Sequence, residues 1–179
     1  MIEIRKIGAA HEADIRLKNE PFSLFGRLLP AYRDGQWSYT EERFAPEDIR
    51  QMCFPDEAYA LYAEPERIFL GAYDADTCVG LAVLDSGFFQ YMYLYDLKVS
   101  HAYRQQHIGQ ALMAQAKKVA VEQGYSGLYT ICQDNNLGAC LFYLHSGFSI
   151  GGLDTNVYRH TPQEGKRDIL LYCESPAAL

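Results

Sequence analysis

The chain predicts an α+β layered domain. Strand-like segments come first, a strand–helix–strand–helix–strand–strand series follows, and no repeat, low-complexity tract or linker interrupts them. A length of 179 residues and a hydrophobic content of 49% predict a single domain over 1–179 with a sizeable core.

IEIRKIG at 2–8 alternates apolar and polar residues and reads as a strand, followed by a short helix over 9–18. Residues 23–44 hold two apolar-aromatic runs around Arg33-Asp34-Gly35, a hairpin signal, with Pro30 at an edge or bulge. Two of Tyr32, Trp37 and Tyr39 are expected in the core of that hairpin. Residues 45–66 carry three prolines and much acid and suggest loops with one short helix. RIFLGAYDADTCVGLAVLDSG gives two strands joined by Asp74-Ala75-Asp76, and QYMYLYDLKVS gives a third, dense in aromatics. A helix is expected over 103–123, because Ile108, Leu112, Ala116 and Val119 recur at helical spacing and Gly124 can end it. GLYTICQ reads as a buried strand. A second helix over 135–146 follows, with Asp134 as its cap and Gly147 as its stop. FSIGGLDTNVY and RDILLYCE close the series as strands.

Composition excludes several classes of function. No run of about 18 apolar residues exists, so no membrane span is expected. The first residues lack an apolar signal region, which suggests a cytoplasmic protein. A net charge of −7 argues against a nucleic-acid partner. Nine acids (Asp34, Glu41, Glu42, Glu47, Asp48, Asp56, Glu57, Glu64, Glu66) against Arg43 and Arg50 place that whole excess in residues 34–66. The segment is either a solvated acidic face or a field that collects a cationic substrate. The five cysteines show no CxxC pair, and they read as small buried thiols. The five histidines show no ligand spacing, so no metal is expected.

Two constellations carry chemistry. In RQQHIGQAL, Arg104–Leu112, a strand runs through a tight connection into the start of a helix. The first amides of a helix lack partners within it, and its dipole favours an anion there. Gly109 permits a close approach of the backbone, although an ordinary helix start would look the same. Further on, Asn136, Ala139 and Tyr143 share a helix face at spacings of three and four. They offer an amide, a shallow surface and a phenol, which would suit an amide-containing chain that ends beside a proton donor. Tyr143 reads equally as core.

Together these residues resemble the GNAT N-acetyltransferase family. Arg104-Gln105-Gln106-His107-Ile108-Gly109 lies on its pyrophosphate loop, Tyr95–Val99 on its bulged strand, and Asn136-x-x-Ala139-x-x-Phe142-Tyr143-x-x-x-Gly147-Phe148 on its later helix and strand. His107 stands where a first glycine is usual. Placed inside the first helical turn, with negative φ, it would crowd the diphosphate without straining the backbone. Further likeness is to the streptothricin acetyltransferases, through Glu20-Pro21-Phe22, Gly26-Arg27, Pro30, Tyr32, Trp37, Gln133–Leu137, Ile150-Gly151 and Asp154-Thr155. One departure is Tyr95, where a second acid before Asp96 would be expected.

The resemblance implies a mixed, mostly antiparallel central sheet, splayed at a bulged strand and flanked by helices on both faces. It implies acetyl transfer from acetyl-CoA to a primary amine of a cationic small molecule, streptothricin above all, as antibiotic resistance by acetylation. Another amine (a polyamine, an aminoglycoside-like compound or a protein lysine) or a non-catalytic acyl-CoA-binding module is the alternative. The diphosphate would rest on Arg104, Gln105, His107, Ile108, Gly109 and Gln110. The pantetheine amides would pair with backbone at Leu97 and Val99, beside a bulge there, and with Asn136. Tyr143 would protonate the leaving thiolate. Asp96 would bind the amine or take its proton, or is a structural carboxylate. Glu20, Trp37, Asp96 and Asp154 would contact the acceptor, and a homodimer would be in keeping with the family.

Overall fold

The computed structural model describes residues 1–61 and 66–175, so Glu64, one of the nine acids, lies outside the described residues. The elements are β1 (Ile2–Lys6), a 3-10 helix (Ala9–Arg16), β2 (Phe22–Leu24), β3 (Gly26–Arg33), β4 (Gln36–Arg43), a 3-10 turn (Pro46–Asp48), β5 (Arg50–Met52), β6 (Ile68–Asp74), β7 (Thr77–Phe88) and β8 (Tyr91–Val99). After a 3-10 turn (His101–Tyr103) come α1 (Ile108–Glu122), β9 (Gly127–Gln133), α2 (Leu137–His145), β10 (Ser149–Asp154) and β11 (Asp168–Glu174). Seven strands form one sheet in the order β1-β6-β7-β8-β9-β11-β10, and β2–β5 and β3–β4 form separate two-stranded ladders.

The described residues fall into two compact units. The first comprises those within Met1–Glu20, Cys53–Tyr129 and the end of the chain from Glu174. Here β1, β6, β7 and β8 pair antiparallel in turn, and β8 pairs parallel with β9. Both faces of this part of the sheet are covered. Ile108, Leu112, Met113, Ala116, Val119 and Ala120 are the buried stripe of α1. An ideal Cβ placed on Gly80 of β7 would lie 3.1 Å from Leu112 Cδ1, so the glycine sets how closely helix and strand approach. Leu81 and Val83, which alternate with Gly80 and Ala82 along β7, join Ile7, Ile15, Tyr59 and Phe69 in a core that the Ala9–Arg16 helix closes.

The second unit comprises Pro21–Met52 and Thr130–Cys173. Its hairpin turns at Asp34 and Gly35 with φ of 52° and 79°, the paired left-handed geometry that matches strand twist in a two-residue loop. Pro30 is tolerated because β3 pairs with β4 alone in that ladder. The expectation that two of its three aromatics are core is overturned. Tyr32 is 60% exposed and Tyr39 44%, and Trp37 is half-buried against Tyr32 at 5.0 Å between ring centroids. β4 is exposed along nearly its whole length, and the buried positions of β3 are Gly26 and Leu28 at its start, away from these rings.

Three further expectations are corrected. Residues 45–66 contain a strand, β5, too short and too polar (Arg50-Gln51-Met52) to signal itself by alternation. The second helix starts at Leu137 and is capped by Asn136, whose Oδ1 accepts the Ala139 amide at 3.2 Å. Asp134 does not cap it. Its side chain is buried, with Oδ1 accepting the Arg167 amide at 3.1 Å and Oδ2 lying 4.0 Å from Arg27 Nε. The thiols of Cys132, Cys140 and Cys173 are buried, but Cys53 is exposed.

Candidate active site

Strand β8 carries one of the register shifts of the first unit's sheet. Val83 of β7 faces Asp96 and Leu84 faces Leu94, so Tyr95 is an extra residue in the ladder. The bulge therefore sits at Tyr95, and not at Leu97–Val99 as the sequence led us to expect. Bulging there has a chemical consequence. Neighbours on a regular strand face opposite ways, yet Tyr95 and Asp96 both meet Tyr59. The ring centroids of Tyr59 and Tyr95 are 6.3 Å apart, and the Tyr59 hydroxyl donates to Asp96 Oδ2 at 3.1 Å. Pairing of β8 with β9 covers only Tyr91–Tyr93 against Gly127–Tyr129. Beyond it, Asp96–Val99 run on in register with β7.

Asp96 is held from two sides. Lys98 Nζ lies 3.0 Å from the same Oδ2, with Asp96 22% and Lys98 11% exposed at their side chains. Burial and the neighbouring Asp96 carboxylate push the Tyr59 phenol far above its ordinary range, so it keeps its proton and donates it to Asp96. Tyr95 is raised as well, by burial and then by Glu57, to whose carboxylate its hydroxyl donates at 3.4 Å. The Arg67 guanidinium stacks 4.4 Å over the Tyr95 ring and is fixed by Asp85 at 2.8 Å. Tyr93 extends the aromatic strip, edge-on to Tyr95 and stacked at 4.7 Å on Tyr129. Sequence reasoning found Asp96 but missed Tyr59, Lys98 and Glu57. Lys98 was legible in principle, two residues from Asp96 on a strand, whereas Tyr59 and Glu57 reach the site from a distant loop.

The connection from β8 to α1 differs from expectation. The helix begins at Ile108, five residues later than the expected start at 103, and residues 104–107 form a loop. Gln105 and His107 have φ of 62° and 61°, so both are left-handed. The expectation that His107 has negative φ inside a helical turn is thus overturned. It is the residue before the helix, in the conformation that glycine adopts without penalty. The cost of a histidine here is conformational. Its ring is engaged, with Nδ1 2.7 Å from Gln110 Oε1. The first bond inside α1 runs from the Ala111 amide to the His107 carbonyl, which leaves the Ile108, Gly109 and Gln110 amides as the helix's unpartnered start. Left-handed residues beside those amides form the type of concavity that receives an anion.

Arg104 braces this loop. Its Nε donates to the Val99 carbonyl at 3.0 Å, and its NH2 donates to the Glu20 carbonyl at 3.4 Å. Glu20, expected at the acceptor, instead accepts the His101 amide and lies 4.0 Å from Arg104. It clamps the corner where β8 ends.

In the second unit, α2 carries Asn136 and Tyr143. The Asn136 oxygen is used as the helix cap. Tyr143 is half-buried, edge-on to Phe142 and Phe148 at 5.4 Å each. Asp154 closes the turn after β10, accepting the Asn156 and Val157 amides at 2.8 and 3.0 Å. Trp37 lies on the hairpin described above.

Replacing His107 with glycine removes a left-handed non-glycine residue worth about 1 kcal/mol of strain, offset by glycine's larger unfolded-state entropy. Folding stability should shift by less than about 1 kcal/mol, and acetyl-CoA binding, measured by calorimetry, should hold or tighten. Binding more than about tenfold weaker, roughly 1.4 kcal/mol, would make the imidazole a ligand.

A bulged strand leading into an amide-rich helix start can seat an anionic, amide-containing chain such as an acyl-CoA. Residues 29–148 match the Acetyltransferase (GNAT) family. Streptothricin acetyltransferase A of Bacillus subtilis (strain 168) is 33% identical over 169 residues, covering 94% of this chain and 98% of that protein. The streptothricin acetyltransferase of Escherichia coli is 28% identical, covering 84% of this chain and 74% of that protein. Among solved structures, a candidate streptothricin acetyltransferase from Bacillus anthracis str. Ames, in complex with acetyl coenzyme A, superposes with a TM-score of 0.85 at 27% identity, covering 97% and 98% of the two chains. Nourseothricin acetyltransferase shares the fold at a TM-score of 0.78 and 23% identity, over 98% and 99% of the two chains. The chain belongs to the GNAT family and is an N-acetyltransferase.

Proposed function

We propose that this enzyme transfers the acetyl group of acetyl-CoA to a primary amine of streptothricin, and so inactivates a cationic antibiotic. The likeness to the Bacillus subtilis enzyme, sustained over 94% of the chain, carries the reading. The acidic segment 34–66 supports it independently, since an excess of carboxylates raises the local concentration of a polycation.

The chain's own residues have these roles in the reaction. Amides of Gln105 to Gln110 receive the diphosphate, while Arg104 and Glu20 hold the loop in shape. Backbone of Leu97 and Val99 pairs with the pantetheine amides as an added strand would. The Val99 carbonyl already accepts from Arg104, which leaves Leu97 the larger share. Asn136 donates its amide nitrogen to the same chain. The acceptor ammonium gives a proton to Asp96, directly or through water, and the free amine attacks the thioester carbonyl. A backbone amide beside the bulge stabilises the oxyanion. The carbon–sulfur bond then breaks, Tyr143 gives its proton to the departing thiolate, and the attacking nitrogen releases its second proton to solvent, from which the Tyr143 phenolate is reprotonated.

Purified protein mixed with acetyl-CoA and streptothricin should release free thiol across about pH 7 to 9 and yield a product heavier by one acetyl group. No release at high substrate would remove streptothricin as the acceptor. Turnover confined to a polyamine, an aminoglycoside or a lysine peptide would assign a different amine, and cofactor binding without turnover on any of them would make the protein a binding module.

A further inference from the structure

We propose that Lys98 is a positioning residue for acetyl transfer, holding Asp96 oriented through Oδ2 so that Oδ1 faces the acceptor amine. The inference rests on the reading of Asp96 as the group that takes the amine's proton.

Two donors converge on one carboxylate oxygen, the Tyr59 hydroxyl at 3.1 Å and Lys98 Nζ at 3.0 Å. Among the described residues, no hydrogen bond goes to Oδ1. Lys98 is itself fixed, with Nζ 3.4 Å from Asn19 Oδ1 and 5.8 Å from the Tyr59 ring centroid. An exposed lysine–aspartate pair would be screened and weak. This one is largely withdrawn from water, at 11% and 22% exposure, so it is screened less than a surface pair and its geometry is fixed.

The other charges around Asp96 are already matched, with one exception. Asp56 is paired with Lys18 at 2.9 Å, and Arg67 with Asp85 at 2.8 Å. Glu57, bonded to Tyr95, has no cation within 4.0 Å among the described residues and so adds negative potential near Asp96. Lys98 opposes it. The division of labour follows: Glu57 meets the substrate's positive charge, while Asp96, held through Oδ2, presents Oδ1 to accept a proton.

The test is kcat/KM against pH, over about pH 5 to 9, for wild type, Lys98→Met, Lys98→Gln, Lys98→Arg and Asp96→Asn. Removing the ammonium should move the acid limb upward by about one pH unit or more in both Lys98→Met and Lys98→Gln, and Lys98→Arg should restore the wild-type limb. Lys98→Gln keeps a donor without a charge, so it decides the matter if Lys98→Met fails to fold. An acid limb that stays in place while the whole profile drops, or that does not change at all, would overturn the proposal. Asp96→Asn separates the two ideas. If it retains the wild-type rate and limb, both Asp96 as base and Lys98 as its positioner fall. Thiol release by the wild type would still stand as acetyltransferase activity.

Discussion

Tyr143→Phe lowers kcat by roughly a hundredfold, within a range of about ten- to a thousandfold, if the phenol protonates the leaving thiolate. The substitution is informative because it deletes one oxygen and keeps the ring. Edge contacts with Phe142 and Phe148, both at 5.4 Å between centroids, are made by the ring and survive in phenylalanine. Folding stability and acetyl-CoA affinity should therefore change little, and the loss should fall on kcat, which is where removal of a transition-state interaction appears. Steady-state thiol-release kinetics, set beside a thermal melt of the same preparation, separates the two effects. An unchanged kcat would return Tyr143 to a packing role. A large fall in melting temperature would mean that the hydroxyl is part of the fold.

Leu112→Ala destabilises the protein by about 2 to 5 kcal/mol. Leu112 is fully buried in the middle of the α1 stripe, and the space beneath it is defined by Gly80. No flexible side chain projects from Gly80 to fill the void, so the cavity persists and its cost adds to the lost transfer free energy. Urea denaturation gives the change directly from the shift in midpoint at constant slope. A loss below about 1 kcal/mol would show that α1 settles onto β7 after the truncation. Function follows from the same contact. The helix that Leu112 anchors presents the Ile108–Gln110 amides, so the variant should also weaken acetyl-CoA binding.

Much of the fold was legible because it is built from local, periodic signals. Apolar spacing from Ile108 to Val119 marked α1, Gly124 and Gly147 stop their helices at φ of 84° and 89°, and Asp34-Gly35 marked the hairpin. What failed depended on tertiary context. Burial of Tyr32 and Tyr39 could not be judged from a strand pattern, because it depends on whether a second layer covers the hairpin. The bulge was expected in β8 but two residues too late, since residue type does not reveal which backbone position drops out of register. The helix start was misplaced because Gln105 and His107 adopt left-handed angles that only loop closure imposes on such residues. Within the candidate site, a strand position exposed Asp96 and a helix face exposed Tyr143. The residues that hold Asp96 and its partner Lys98, Tyr59 and Asn19 respectively, come from segments far along the chain, and only folding brings them there. Asp134 shows the opposite error: a good capping residue was drawn inward by Arg27 and the Arg167 amide, and Asn136 took the cap.

The central claim is that the β8 strand past its bulge and the loop into α1 form one seat for an acyl-CoA. A crystal structure of the protein with acetyl-CoA tests it most directly. The diphosphate should lie against the amides of residues 105–110 and the pantetheine alongside Leu97–Val99. A diphosphate bound elsewhere, or a pantetheine that makes no backbone bond to β8, would contradict it.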